Sequence, residues 1–142
     1  MFKARGSNKS IMPFFGRWKG TFEPDGPTAN ERNRLEGFVQ LYGSHERFTM
    51  QLRGEQQEID LTGTWFPTGN RVTLTVKEIA INDFGGEDLR DPNKVYIPNN
   101  AVRAAYAKPL ILNRSQDGRS LNGLTMSIGD LIGKHSFVKD SP

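Results

Sequence analysis

Two histidines, His45 and His135, and a run of acids, Asp83, Glu87, Asp88 and Asp91, are the residues through which this chain could do chemistry. A neutral imidazole aimed inward from a late strand could bind iron, which makes His135 the candidate haem ligand; a lone histidine is more often a plain polar residue. The acids could offer oxygen ligands to a hard cation such as calcium, but they lack the glycine and distal glutamate of an EF-hand loop, so a solvated loop is the expectation. Nucleophilic catalysis lacks its parts. There is no Gly-x-Ser-x-Gly elbow, and His135 and Ser136, as neighbours in sequence, would face opposite sides of a strand. The chain has no cysteine, which removes thiol nucleophiles, thiolate metal sites and disulfides together. Paired carboxylates leave no sequence signature. The expectation is a protein that is not an enzyme and holds no cofactor or metal.

The elements that must position these residues read as strands. The only two tryptophans lie in near-copies of one motif, Gly16-Arg17-Trp18-Lys19-Gly20-Thr21-Phe22 and Gly63-Thr64-Trp65-Phe66. Phe14, Gly16, Trp18, Gly20 and Phe22 alternate with Arg17, Lys19, Thr21 and Glu23, the period of a half-buried strand. Glycine beside a large indole lets one strand bend or lie close while the ring covers the gap. Leu35 to Leu41, Phe48 to Leu52, Ile59 to Trp65 and Val72 to Val76 repeat the alternation through short turns. Leu110 to Asn113, Leu121 to Ile128 and Leu131 to Val138 supply three more strands. In the last of these, Phe137 and His135 share a face, while Ile132 and Val138 take the opposite parity; the alternation alone leaves the orientation of His135 open.

Between the fifth and sixth strands, residues 80–108 break the rhythm. Turn-formers lead to Pro98-Asn99-Asn100, and an asparagine cap is expected before an alanine-rich helix that halts at Pro109. This predicts an all-β fold, an up-and-down antiparallel barrel of about eight strands with one short helix in a long insertion. Residues 1–12 read as a flexible lead-in and 13–142 as one barrel domain, since 142 residues can bury one core.

A formal charge of +3 is scattered rather than gathered in a stripe, which argues against nucleic acid as a partner. No apolar run is long enough to span a bilayer, so a soluble chain is expected. The composition suits the cytoplasm, and it equally suits a bacterial exported protein without disulfides.

Gly16-x-Trp18 at the head of the first strand resembles the calycin superfamily, which comprises lipocalins, fatty-acid-binding proteins and nitrobindin-like haem barrels. The likeness covers residues 14–79 best. It implies that Trp18, with Gly16, closes one end of the barrel against a basic residue of the last strand, Lys139 or Lys134. The helix does not sit where a lipocalin carries it, and Phe22 replaces the third glycine of the nitrobindin pattern, so no family within the superfamily is singled out.

Such a barrel is wide enough to be filled by side chains or to hold one small ligand. The leading expectation is a carrier of a small apolar molecule, lined by Trp65, Phe48, Met50, Leu74 and Tyr106, with the insertion as lid. Trp65 ends its strand beside Pro67 and is expected nearer a rim than Trp18. On the helix, Val102, Ala105 and Tyr106 share a side and could cap the mouth. The alternative is an interaction or inhibitor module with a filled interior that acts through its loops or outer face.

Overall fold

The computed structural model describes residues 12–24, 34–43, 46–84, 97–123, 126–128 and 131–140. The lead-in before Met12, His45, the Pro24-to-Pro27 stop beyond its first residue, the Gly129-Asp130 turn and the acids Glu87, Asp88 and Asp91 lie outside the described residues. So does the middle of the 80–108 insertion.

The sheet runs β1 (Gly16–Pro24), β2 (Leu35–Leu41), β3 (Arg47–Arg53), β4 (Gln57–Thr68), β5 (Arg71–Asp83), β6 (Leu110–Arg114), β7 (Ser120–Gly123), β8 (Met126–Ile128) and β9 (Leu131–Lys139). Each of β1 to β6 pairs antiparallel with the next, and β9 returns to pair with β1. The stretch expected as one strand from Leu121 to Ile128 is two, β7 and β8, laid one after the other along β9. Eight strands therefore close the circumference.

Alternation decides which side chains fill the interior. Trp18 and Phe22, Val39 and Leu41, Met50 and Leu52, Ile59 and Leu61, Leu121 and Phe137 are all buried, while the residues between them reach solvent or the sheet surface. On β9 the parity resolves in favour of Phe137: Val138 is 56% exposed, and His135 faces inward with Phe137.

Glycines set the curl. Gly20 and Gly37 are register partners, and a Cβ on either would run into backbone of the next strand, at Ser136 and Phe137 for Gly20 and at Gln51 for Gly37. Gly63 marks a β-bulge. Thr62 pairs with Glu78 and Gly63 with Val76, so Lys77 is the extra residue on β5.

The two ends of the barrel are closed differently. At one, a 3-10 turn (Met12–Phe14) precedes β1, and Phe14, expected inside the first strand, belongs to this turn and is fully buried. At the other, α1 (Asn99–Tyr106) packs against β5 and β8. Pro98, not an asparagine, is its N-cap, and the Pro98 carbonyl accepts from the backbone N–H of Ala101 and Val102 at 3.0 Å. Val102 and Tyr106 are buried and Ala105 partly so. The Gln57 side chain fastens the start of this segment by two hydrogen bonds, donating to Ile97 O at 2.9 Å and accepting from Ile97 N at 2.7 Å. The strand β5 extends to Asp83, so the insertion begins later than residue 80.

Candidate functional site

The residues expected to close the barrel meet at the end plugged by the 3-10 turn. Trp18 and Lys139 are register partners, and the Lys139 ammonium stands 4.5 Å from the Trp18 ring centroid while donating to the Phe15 carbonyl. Burial pulls the Lys139 pKa below the ordinary lysine value. Gly16 has φ +111, and a Cβ there would stand 2.9 Å from Lys139 Nζ, so the first glycine of the motif serves both a backbone conformation and the lysine's path. The Trp18 indole donates to Phe14 O at 3.0 Å.

Trp65 lies at this same end rather than at an open rim. It is 2% exposed, donates to Tyr42 O at 2.9 Å, and packs edge-on to Phe15 at 5.9 Å. Its register partner Leu74 and the nearby Phe48 are buried beside it, and Met50 lies at mid-barrel between Val39 and Leu61. Tyr106, expected on the helix of the insertion, comes from α1 and enters from the opposite end.

There Tyr106 meets His135. The phenol oxygen and His135 Nε2 are 2.8 Å apart, both side chains are buried, and His135 Nδ1 has no partner among the described residues. Phe22 lies against the imidazole at 5.1 Å, and Phe137 stacks on it at 6.2 Å. Desolvation pushes the His135 pKa down to about 3 and the Tyr106 pKa well above that of a free phenol, so both are neutral near pH 7. Counting hydrogen bonds assigns the tautomer. If Tyr106 donates to Nε2, only the Nδ1–H is left unpaired; the reverse arrangement strands both the phenol proton and the Nδ1 lone pair.

Between these two ends the described inward-facing side chains are tightly packed. None of the buried hydrophobic side chains is more than 4% exposed, and His135 is wholly inaccessible. Those side chains border no ligand-sized space. Among the described residues of β5, the inward-facing Val76, Ile79 and Ile81, beyond its pairing with β6, are partly exposed.

Two grooves among the described residues lie on the outer face of the sheet. One groove of about 500 Å³ crosses β3, β4 and β5 and is lined by Tyr42, Arg47, Phe48, Thr49, Thr62, Gly63, Thr64, Lys77 and Glu78. The bulge shapes it: Lys77 and Glu78, which would face opposite ways in a regular strand, are both exposed on its wall. A second groove, of about 590 Å³, lies over β2 and β3. Its arginines are engaged, Arg34 with Glu36 at 2.9 Å and Arg53 with Glu58 at 3.6 Å. Arg47 and Lys77 in the first groove have no carboxylate partner among the described residues. Sequence reading passed over this groove. Its signal was there: the apolar positions of β5 change parity from Val72, Leu74 and Val76 to Ile79 and Ile81, which places a one-residue insertion at Lys77 or Glu78.

No protein-family model matches the chain, and no curated protein does. Among solved structures, it is similar to Rv2717c from M. tuberculosis at 13% sequence identity and a TM-score of 0.40, with 95% of this chain and 98% of that chain covered. A likeness of that order assigns no family.

Proposed function

We propose that this chain is a non-enzymatic binding module whose barrel is a filled scaffold and whose loops and outer face meet the partner. The observation that carries this reading is the packing of the interior: the side chains expected to line a ligand cavity, Trp65, Phe48, Met50, Leu74 and Tyr106, are each at most 2% exposed and belong to one hydrophobic core cluster. A small-molecule carrier needs a cavity of roughly 300 Å³ or more. Native mass spectrometry of the purified protein, before and after incubation with oleate or retinol, is the test. The expected result is the mass of the chain alone and unchanged tryptophan emission. A stoichiometric adduct with either lipid would return the carrier reading to first place.

One observation favours an interior ligand, the unpartnered Nδ1 of a buried histidine. Haem is the group that the resemblance brings to mind for His135, and the arrangement does not fit it. The Nε2 lone pair is held by Tyr106, and Phe22 and Phe137 enclose the ring. Titration with haemin is expected to give no Soret band characteristic of ligated haem. A band that vanishes in His135→Ala would reverse this conclusion.

A further inference from the structure

We infer that the groove over the β4–β5 bulge is a binding site for an acidic saccharide, a polyhydroxylated ring carrying one anionic group. The inference rests on the reading of the barrel as a filled scaffold that binds through its outer face.

The groove is built rather than incidental. Gly63 carries no side chain, and a Cβ there would collide with the Thr75 backbone, so the bulge is fixed by close strand approach. Bulges turn side chains out of the regular pleat, and this one brings Lys77 and Glu78 to the same wall. The opposite wall is equally fixed. The Tyr42 N–H donates to Arg47 O at 2.8 Å, and the Tyr42 carbonyl accepts from the buried Trp65 indole at 2.9 Å. Both Tyr42 and Arg47 are therefore anchored through their backbones to the plugged end of the barrel, where Phe14 and Phe15 pack against Trp65.

The chemistry on offer selects the ligand class. Three threonine hydroxyls, Thr49, Thr62 and Thr64, are donors and acceptors along the floor, and Tyr42, 42% exposed, presents a ring whose hydroxyl lies 3.5 Å from Thr49 Oγ1. Aromatic rings and hydroxyls at a concave surface suit a sugar, whose apolar ring face and hydroxyl rim need both. Arg47 and Lys77, without carboxylate partners among the described residues, can take up an anionic group, and an arginine fork matches carboxylate or phosphate oxygens. Glu78 can accept from a sugar hydroxyl. The volume, about 500 Å³, falls in the range of small-molecule sites. The adjoining groove over β2 and β3 has similar size, but its arginines are already paired with Glu36 and Glu58, which is why the first groove is chosen.

The test is amide NMR of the ¹⁵N-labelled chain titrated separately with digalacturonate, glucose 6-phosphate and glucose. Saturable shifts confined to Tyr42, Arg47, Thr49, Thr62 to Thr64, Lys77 and Glu78 are expected with one or both anionic sugars, and weak or no shifts with glucose. Digalacturonate against glucose 6-phosphate tells a carboxylate from a phosphate. In Arg47→Gln/Lys77→Gln, affinity should fall roughly ten-fold or more, as expected from the loss of two charge-assisted contacts. Both side chains are exposed, so an unchanged melting temperature will show that the variant folds. Absence of shifts with both anionic sugars, shifts elsewhere on the barrel, or equal binding by the variant would each overturn the assignment. A negative sugar titration with no lipid adduct removes this site alone and leaves the filled-scaffold reading standing. A lipid adduct removes the scaffold reading whatever the sugars do.

Discussion

At the scale of single residues, the His135–Tyr106 pair is the costly feature of the interior. A buried polar group without a hydrogen-bond partner costs about 1–3 kcal/mol, and His135 Nδ1, as donor or as acceptor, is such a group whichever way the phenol proton points. Tyr106→Phe would leave Nε2 unpaired as well and should destabilise by roughly 1–2 kcal/mol in urea unfolding. The double variant Tyr106→Phe/His135→Phe removes both polar groups and should lose less than the sum of the two single variants. An additive cycle would mean that the 2.8 Å contact contributes nothing. Protonation gives a second reading of the same pair. Because the folded pKa of His135, about 3, lies below the ordinary 6.5, the unfolded chain binds a proton that the folded chain refuses between those values. Stability from this group is fully present above about pH 6.5 and declines as pH falls towards 3, by roughly 1 kcal/mol per pH unit. Measured across pH 4 to 7, the unfolding free energy of the wild type should fall relative to that of His135→Phe as pH falls, with the variant the flatter of the two.

At the scale of elements, the glycines that accompany the tryptophans are the points where the strands can be tested. Gly16→Ala would force a side chain into φ +111 and against Lys139, and should cost roughly 1–3 kcal/mol. Gly20→Val adds bulk where β9 backbone already stands, and should lower the melting temperature further than Gly16→Ala, because its obstacle is main chain rather than the end of a flexible lysine. If differential scanning calorimetry finds the two variants in the reverse order, the close approach of β1 and β9 is not what fixes Gly20. This is also where the sequence was most readable. Strict alternation in β1, β3 and β4 exposes which residues face inward, and the short turns between β3, β4 and β5 leave antiparallel pairing as the natural connection. Trp65 was harder. Periodicity gives the face of a strand but not its height in the barrel, and height follows from register with β3 and β5, which no local pattern encodes. The groove was missed for a related reason: its residues belong to three strands, and only the parity change within β5 marks it in one dimension. Pro98 displaced the expected asparagine cap because its fixed φ already suits the entry to a helix, and its carbonyl accepts from the Ala101 and Val102 amides.

At the scale of the whole molecule, the two ends of the barrel are held by different kinds of contact, and this predicts unequal opening. The plugged end gathers Phe14, Trp18, Trp65 and Phe48 with two indole hydrogen bonds and a lysine laid over a ring. The other end is covered by an eight-residue helix, α1, without a side-chain cap, fastened by Gln57 at its start and by Tyr106 at its finish. A helix this short is not stable alone, so its persistence depends on those tertiary contacts. Local opening of α1 should therefore precede global unfolding, while the tryptophan end opens only with the whole barrel. Native-state hydrogen exchange would show this as α1 amides exchanging at lower free energy than the Trp18 and Trp65 indole N–H groups, which should report the global value. Gln57→Ala removes both hydrogen bonds to Ile97 and should lower the opening free energy of α1 by roughly 1–3 kcal/mol, with a smaller effect on the exchange of the two indoles. Equal exchange at both ends would mean that helix and barrel unfold as one unit, in which case the contacts of α1 belong to the core rather than to a cover.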